Sequence, residues 1–233
     1  MFATQMASGS FLHNCDISGG IGSENQFYPT HKYQTLSLGG GLSAFESDIE
    51  LKGCNIFGCS SELGGAAYFF NSNSRIISTN FYNNLGVYGG GLYADNSSLN
   101  ISNLSVMDCR AEYGGAMALL NDESRFGLLC NIIENQAVKG AGIFIDNSSS
   151  YFDGINIMHN NSFNQEDEKY KLSEGGGVFV RNSDIQFNLS TIIENQAKKG
   201  NNLCIENSQV LWNGKQPPNR SIFFRNGRLI PFS

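Results

Sequence analysis

The strongest constraint on this chain is the regular spacing of its glycine clusters. The clusters, and one single glycine that continues their register, begin at Gly39, Gly64, Gly89, Gly114, Gly140, Gly175 and Gly200. Five of the six intervals between them are 25 or 26 residues, and the interval after Gly140 is 35 residues. Self-similarity at a fixed period of this length is typical of solenoids, in which each repeat stacks on the next. The sequence therefore predicts a stack of coils of about 25 residues each.

Residues at the same distance from these glycines fall into columns of one chemical type. The third and fifth residues after the first glycine are apolar in every coil, as Leu92 and Ala94 are. Because side chains alternate along a strand, these two columns face the same side. Further apolar columns lie near positions twelve and seventeen, as in Ile76 and Phe81. Each coil thus offers three short strands with inward side chains, and the predicted fold is an all-β, right-handed parallel β-helix of about eight coils.

Two columns of asparagine mark the turns between these strands. Asparagine tolerates left-handed backbone in a turn, and stacked amides can hydrogen-bond from coil to coil. We expect both columns to point inward and to form structural ladders. The first column consists of Asn71, Asn96, Asn121, Asn147, Asn182 and Asn207, and the second of Asn84, Asn135, Asn160 and Asn195. Cys59 and Cys109 take the place of asparagine in two coils of the second column.

The glycine clusters also resemble a known repeat signature. A G-G-[AG]-[ILV] motif with a later F-x-x-N marks the repeats of the polymorphic membrane protein family. The first motif is matched at Gly39–Leu42, Gly89–Leu92 and Gly175–Val178, and the second at Phe11–Asn14 and Phe81–Asn84. The resemblance covers roughly residues 11–207. It implies a right-handed parallel β-helix and an association with surface adhesion.

We predict one β-helix domain over residues 1–233, with repeats over about 11–214. The long interval after Gly140 places a charged insertion at about 162–173, which we expect to be a solvated surface loop or a recognition loop. In the tail, residues 215–233, Pro217 and Pro218 are followed by apolar residues, so we expect it to end the ladder and cap the last coil. We expect the N-terminal cap to be missing or supplied by a partner.

Charge and hydropathy disfavour several classes of function. The chain has 21 acidic and 15 basic residues and a net charge of −6, the wrong sign for a surface that binds nucleic acid. No apolar run reaches the ~18 residues of a transmembrane helix, so no such segment is predicted. The first residues lack the basic and apolar stretches of a signal peptide. The resemblance nevertheless implies a cell-surface or extracellular location, with membrane association through a larger protein.

The cysteines and histidines do not suggest a disulfide, a metal site or a cofactor. The six cysteines are Cys15, Cys54, Cys59, Cys109, Cys130 and Cys204. Cys54 and Cys130 share a column three coils apart, and Cys59 and Cys109 are two coils apart. At ~4.8 Å per coil these separations are roughly 14 and 10 Å, beyond the ~7 Å limit for a disulfide. No C-x-x-C occurs and the three histidines are far apart, so no metal is predicted.

One column could carry catalysis. Asp108, Glu134 and His159 follow one another on successive coils, where ~5 Å spacing could pair an acid with a base. This is also a turn position, where polar residues are the usual choice. We therefore predict no catalytic residue, and we keep a carbohydrate-active enzyme of the lyase or hydrolase type as an alternative.

A column of aromatic residues lies between the two inward columns of the first strand. It contains Tyr68, Tyr93, Phe144 and Phe179, whose rings we expect to face away from the core. Four aromatic rings on an outward face are unusual for a free surface. Stacking along the coils explains them equally well, so a partner-binding surface and simple stacking both remain open.

The predicted function is a non-catalytic structural or adhesive β-helix scaffold, part of a larger surface protein or assembly. A protein partner is expected, and a carbohydrate ligand is kept as an alternative. An intracellular structural subunit of a large complex is the third interpretation, favoured by the absent signal peptide and the unpaired cysteines.

Overall fold

The structure, a computed structural model, describes residues 2–4, 10–24, 36–163, 172–214 and 221–232. Most of the predicted insertion at 162–173, and Pro217 and Pro218 of the predicted cap, lie outside the described residues. The described chain is nearly all β, and its strands pair in parallel in stacked sheets, except for the antiparallel pair Ser23–Glu24 and Ser37–Leu38. The predicted parallel β-helix is confirmed.

The first sheet contains one strand from each coil. Its nine strands, in spatial order, are Phe2–Thr4, Leu42–Phe45, Ala67–Phe70, Leu92–Asp95, Met117–Leu120, Ile143–Asp146, Val178–Arg181, Leu203–Glu206 and Ile222–Arg225. Because the order in space follows the order along the chain, each coil lies directly on the previous one.

The second and third sheets complete the coil and are joined by one long strand, Asp184–Ile193. The other strands of the second sheet are Ser10–His13, Ile49–Lys52, Arg75–Ile77, Asn100–Ser102, Arg125–Phe126, Tyr151–Asp153, Gln209–Gly214 and Arg228–Pro231. The other strands of the third sheet are Asp16–Ser18, Asn55–Phe57, Asn80–Tyr82, Ser105–Met107, Asn131–Ile133 and Asn156–Met158. Two small pairs remain, Gln136–Ala137 with Asn161–Ser162 and Ser23–Glu24 with Ser37–Leu38.

The register of the sheets reproduces the apolar columns of the sequence. In the second sheet Ile76 lies opposite Leu51 and Ile101, and in the third sheet Phe81 lies opposite Ile56. These side chains are fully buried in an inner core that runs the length of the stack. Like side chains stack within it: the rings of Phe126 and Phe152 are 4.6 Å apart, and Phe152 and Phe187 follow at 4.7 Å.

The glycine clusters form the turn that leads into each strand of the first sheet. Gly89 has φ +65°, and a Cβ atom placed on it would lie 2.0 Å from the carbonyl oxygen of Leu92. Only glycine fits such a turn, because a side chain would meet both left-handed strain and backbone atoms. The tight reversal places the residue before each cluster, such as Tyr88, over the outer side of the first sheet.

The first coil differs from the sequence prediction. Leu12 pairs with Leu51 in the second sheet and Ile17 pairs with Ile56 in the third, so Ile17 is the equivalent of Phe81. Phe11 faces outward and is 65% exposed. The match of Phe11–Asn14 to the F-x-x-N motif is therefore out of register, because this segment lies one strand earlier in its coil.

The C-terminal tail extends the stack. Ile222–Arg225 pairs in parallel with Leu203–Glu206 in the first sheet, and Arg228–Pro231 pairs with Gln209–Gly214 in the second. The described part of the tail thus forms a last coil that has no strand in the third sheet and does not fold over the coil before it. Among the described residues, this coil and that of Phe2–Thr4 bring the stack to nine coils, where about eight were predicted. Within the described residues no helix has the length and hydropathy needed to cross a membrane.

Candidate functional site

The second asparagine column forms a ladder inside the stack, as predicted. Asn135 Oδ1 accepts a hydrogen bond from the Cys109 backbone N–H at 3.0 Å, and Asn135 Nδ2 donates to the Val106 carbonyl oxygen at 3.0 Å. Asn160 Oδ1 in turn accepts from the Asn135 backbone N–H at 3.0 Å. Asn84, Asn135, Asn160 and Asn195 are all buried. These amides satisfy the backbone groups that each turn would otherwise leave unpaired in the core.

Asn202 ends this ladder, and sequence analysis missed it. Its Oδ1 accepts from the Asn195 backbone N–H at 3.1 Å and from Asn195 Nδ2 at 3.0 Å. Asn202 stands where other coils have a glycine or an alanine, such as Gly177 or Ala116. This replacement is the sequence signal for the end of the ladder. The buried backbone N–H of Asn195 needs an acceptor, which the side chain of Asn202 supplies and glycine cannot.

The expectation that the first asparagine column points inward is wrong. Asn71, Asn96, Asn121, Asn147, Asn182 and Asn207 are exposed, with φ between 48° and 51°. They still hydrogen-bond from coil to coil, for example from Asn147 Nδ2 to Asn121 Oδ1 at 2.7 Å. The left-handed turn residue points outward and the residue after it points inward. A buried ladder of serine hydroxyls therefore lies beside them, as where Ser183 Oγ accepts from the Ser148 N–H at 2.9 Å.

The aromatic column faces away from the inner core, as expected, but it is not exposed. Tyr68 and Phe179 are 0% exposed, Tyr93 is 1% and Phe144 is 2% exposed. The predicted stacking is present: the rings of Tyr68 and Tyr93 are 5.6 Å apart, and those of Phe144 and Phe179 are 5.5 Å apart. These rings offer no free surface to a partner, because the chain itself covers them.

A second, lateral core covers the outer side of the first sheet. It contains Leu38, Phe45, Leu63, Tyr68, Tyr93, Ala118, Phe144, Phe179 and Cys204, with partly buried neighbours that include Tyr88 and Tyr113. Tyr113 meets Phe144 edge-on at 5.3 Å, and Phe144 lies opposite the small residue Ala118 in the sheet. In the sequence, this core is indicated by the apolar residue that directly precedes several glycine clusters, such as Leu63 before Gly64.

The column of the catalytic alternative lies on exposed turns. Asp108, Glu134 and His159 have φ of 51°, 59° and 58°, and all three are exposed. His159 Nε2 lies 3.4 Å from Glu194 Oε2 on the next coil, with side chains 48% and 63% exposed. Such a row suits a solvated turn, since acid–base catalysis is usually housed in a concave site that shields the reacting atoms from water.

A polar groove lies on the outer face of the second sheet. It has a volume of about 400 Å³ and includes Arg125, Tyr151, Gln186 and Gln209, each from a different successive coil. Arg125 lies opposite Tyr151 in the sheet, and Tyr151 lies opposite Gln186. Stacking the coils thus aligns Arg125, Tyr151 and Gln186 in one row, which Leu211 continues on the next coil. Gln209 lies beside this row, opposite Asp184.

Two further depressions adjoin this groove. One of about 260 Å³ is lined by residues that include Glu123 and Asn147, and one of about 430 Å³ by residues that include Asn207 and Arg228. Asp184 borders all three depressions. The combined furrow carries both carboxylates and guanidinium groups, so it is polar without one dominant charge. Sequence analysis missed it, because its residues vary from coil to coil.

The cysteines are free thiols, and most are deeply buried. Burial raises the pKa of Cys109 to about 12 and that of Cys204 to about 12, which keeps both thiols protonated and unreactive. The sequence analysis compared other cysteine pairs, and the structure places Cys15 Sγ only 3.2 Å from Cys54 Sγ. Within the described residues no cluster of histidine, cysteine and acidic side chains could hold a metal ion.

Comparisons with protein-family models, with curated proteins and with solved structures found no match.

Proposed function

We propose that this chain is a non-catalytic β-helix scaffold of a larger surface protein or assembly, and that the polar furrow of its second sheet binds a hydroxyl-rich glycan. The furrow is the observation on which this proposal is based. It is open, it draws donors and acceptors from four successive coils, and it includes the ring of Tyr151. A rigid row of such groups suits an extended polymer better than a compact metabolite.

The spacing and chemistry of the furrow support a saccharide ligand. Successive coils are ~4.8 Å apart, an interval similar to the rise of one sugar ring in an extended chain. Amide, hydroxyl and guanidinium groups can hydrogen-bond to sugar hydroxyls, and the flat face of a tyrosine can pack against the apolar face of a sugar ring. The mixed charges favour neutral saccharides over strongly acidic ones.

The test is binding of the purified chain to immobilised neutral and acidic oligosaccharides, followed by calorimetry with the saccharide that binds best. Arg125→Ala and Gln186→Ala should each weaken binding roughly tenfold, since each removes hydrogen bonds worth about 1.4 kcal/mol. Arg75→Ala is the matched control: Arg75 occupies the same outward column two coils from Arg125 and pairs with Glu50 at 3.2 Å. Binding of no saccharide, or equal losses in Arg75→Ala, would contradict the proposal.

The alternative function, a carbohydrate-active enzyme, predicts a different experimental result. If Asp108, Glu134 and His159 formed a catalytic site, the purified chain would release reducing or unsaturated ends from polysaccharides. We expect no release, because these side chains lie exposed on turns away from the furrow. Cleavage that Glu134→Gln abolishes would overturn the non-catalytic assignment.

A further inference from the structure

Two thiols face each other on the first two coils. Cys15 precedes the strand Asp16–Ser18 and Cys54 precedes Asn55–Phe57, and these strands pair in parallel with Asp16 opposite Asn55. The Asn55 backbone N–H donates to the Cys15 carbonyl oxygen at 2.9 Å. The sheet ladder therefore fixes both cysteines side by side, with their Sγ atoms 3.2 Å apart.

The backbone geometry at this pair suits a disulfide. Neighbouring strands lie ~4.8 Å apart, inside the Cα separation of about 4.4–6.8 Å that disulfides span. The sulfur atoms need to approach from 3.2 Å to about 2.0 Å, which a small side-chain rotation supplies. Cys54 has no comparable neighbour further along its column, because Thr79 and Leu104 separate it from Cys130.

We propose that Cys15 and Cys54 form a reversible disulfide that fastens the first coil to the second. With a disulfide oxidant such as oxidised glutathione, the thiolate of one cysteine attacks the oxidant and releases one glutathione thiolate. The second cysteine, after losing its proton, then attacks the mixed disulfide and releases the second glutathione. Two protein thiols are oxidised to one disulfide, and one oxidised glutathione is reduced to two thiols.

The two cysteines differ in access. Cys15 is partly exposed and Cys54 is fully buried, so Cys15 meets the oxidant first. Burial, together with the hydrogen bond and charge of Cys54, raises the pKa of Cys15 to about 11. Few Cys15 thiols are ionised at neutral pH, so the exchange should accelerate about tenfold for each pH unit between 7 and 9.

The experiment starts from the fully reduced chain, incubated at pH 8.5 in a glutathione buffer that contains the oxidised form. After acid quenching, N-ethylmaleimide labels the remaining thiols under denaturing conditions. We expect four labels on six cysteines in the intact protein. Cleavage after Lys32, Lys52 and Phe57 separates the peptides of Cys15, Cys54 and Cys59, and the first two should be joined until a reductant is added.

Two variants provide the control. Cys15→Ser should carry labels on all five remaining cysteines, whereas Cys130→Ser should still form the linked peptide. Oxidation should raise the thermal midpoint by roughly 5–10 °C in the wild type and in Cys130→Ser, and leave it unchanged in Cys15→Ser. Six labelled thiols after oxidation, a link from Cys54 to another cysteine, or equal midpoints of the linked and reduced chains would overturn the proposal.

Discussion

Asn135 is hydrogen-bonded through both the oxygen and the nitrogen of its side-chain amide. Its Oδ1 accepts from the Cys109 N–H at 3.0 Å. Its Nδ2 shares its two hydrogens among three acceptors, each 3.0 Å away: the carbonyl oxygens of Val106 and Ile133, and Asn160 Oδ1. All of these partners are backbone groups or amides of the same or neighbouring coils. One side chain therefore holds three coils in register at this corner.

Replacing Asn135 with leucine should destabilise the fold by about 3 kcal/mol, because the buried Cys109 N–H loses its acceptor. Thermal or urea unfolding measures the loss. Asn147→Gly is the matched control: Asn147 is exposed in the outer column with φ +51°, a conformation that glycine adopts freely. We expect a change below about 1 kcal/mol there. An Asn135→Leu chain as stable as Asn147→Gly would contradict the inner ladder.

Asp122 is a buried carboxyl in the serine ladder. Other coils have serine at its position, and Asp122 is 0% exposed. It accepts hydrogen bonds from the Ser124 N–H at 2.8 Å and from the Ser150 hydroxyl at 3.0 Å. Burial raises the pKa of Asp122 to about 7, although the hydrogen bonds from Ser124 and Ser150 act in the opposite direction. The folded state thus favours the neutral acid.

The sign of the pH dependence follows from this shift. Below about pH 4 the carboxyl is protonated in both states, whereas between about pH 4 and 7 only the unfolded chain loses the proton. The free energy of unfolding should therefore fall across this range, by on the order of 4 kcal/mol at most, and level off above it.

Asp122→Ser isolates this effect, because the other carboxylates titrate equally in both chains. The variant should be slightly less stable than the wild type at pH 4, where it lacks the hydrogen bond to Ser124, and more stable at pH 8. Urea unfolding across this pH range measures the difference. A difference independent of pH would show that Asp122 does not titrate in this way.

Sequence alone could not decide the direction of the asparagine side chains. The left-handed residue interrupts the alternation of the strand, so that Asn182 points outward and Ser183 points inward. Asparagine and serine are both compatible with an inward and with an outward position. Which of the two residues points inward after the turn depends on the backbone conformation of the turn, and the column pattern does not contain that information.

At the scale of the elements, the glycine turn decides how each coil enters the first sheet. Gly89 and Gly19 have nearly the same φ, +65° and +64°. A Cβ at Gly89 would lie 2.0 Å from the Leu92 carbonyl oxygen, whereas a Cβ at Gly19 would have no atom within 4 Å. Alanine substitutions at these two glycines therefore separate the cost of left-handed backbone strain from the cost of a steric clash.

Gly19→Ala should lower the free energy of unfolding by about 1 kcal/mol, the strain of a left-handed alanine. Gly89→Ala should lower it by about 3 kcal/mol or more, because the turn must also open to admit the methyl group. Chemical denaturation of both variants gives the comparison. Equal losses would mean that the turn at Gly89 is not as tight as described.

The lateral core shows a second limit of sequence analysis at this scale. Alternation correctly placed Tyr68 and Phe179 on the outer side of their strands, but it does not say what lies beyond that side. The tight glycine turn folds the preceding residues back over the rings, a contact between segments that a column pattern does not show. The column pattern therefore does not indicate that these aromatic rings are buried.

For the molecule as a whole, the period and the apolar columns were enough to predict the parallel stack, and the columns of Ile76 and Phe81 pair as expected. The first coil was misaligned, because the spacing between Cys15 and Cys54 is 39 residues instead of 25. That error concealed the proximity of the two thiols. The column pattern does not indicate the furrow either, because the furrow residues are not of one type from coil to coil. They form a continuous surface only when the coils are stacked.

The central claim is that stability comes from coils stacked in register, and removal of one coil tests it most directly. Deleting residues 92–116 joins Gly91 to Met117, which lies opposite Leu92 in the first sheet, so every column stays aligned and the furrow is untouched. Deleting residues 92–103 instead places Leu104 after Gly91 and breaks the alignment. Circular dichroism during heating should show one cooperative transition of a β-sheet protein for the first deletion and none for the second. Loss of the transition in both chains, or its retention in both, would contradict the account.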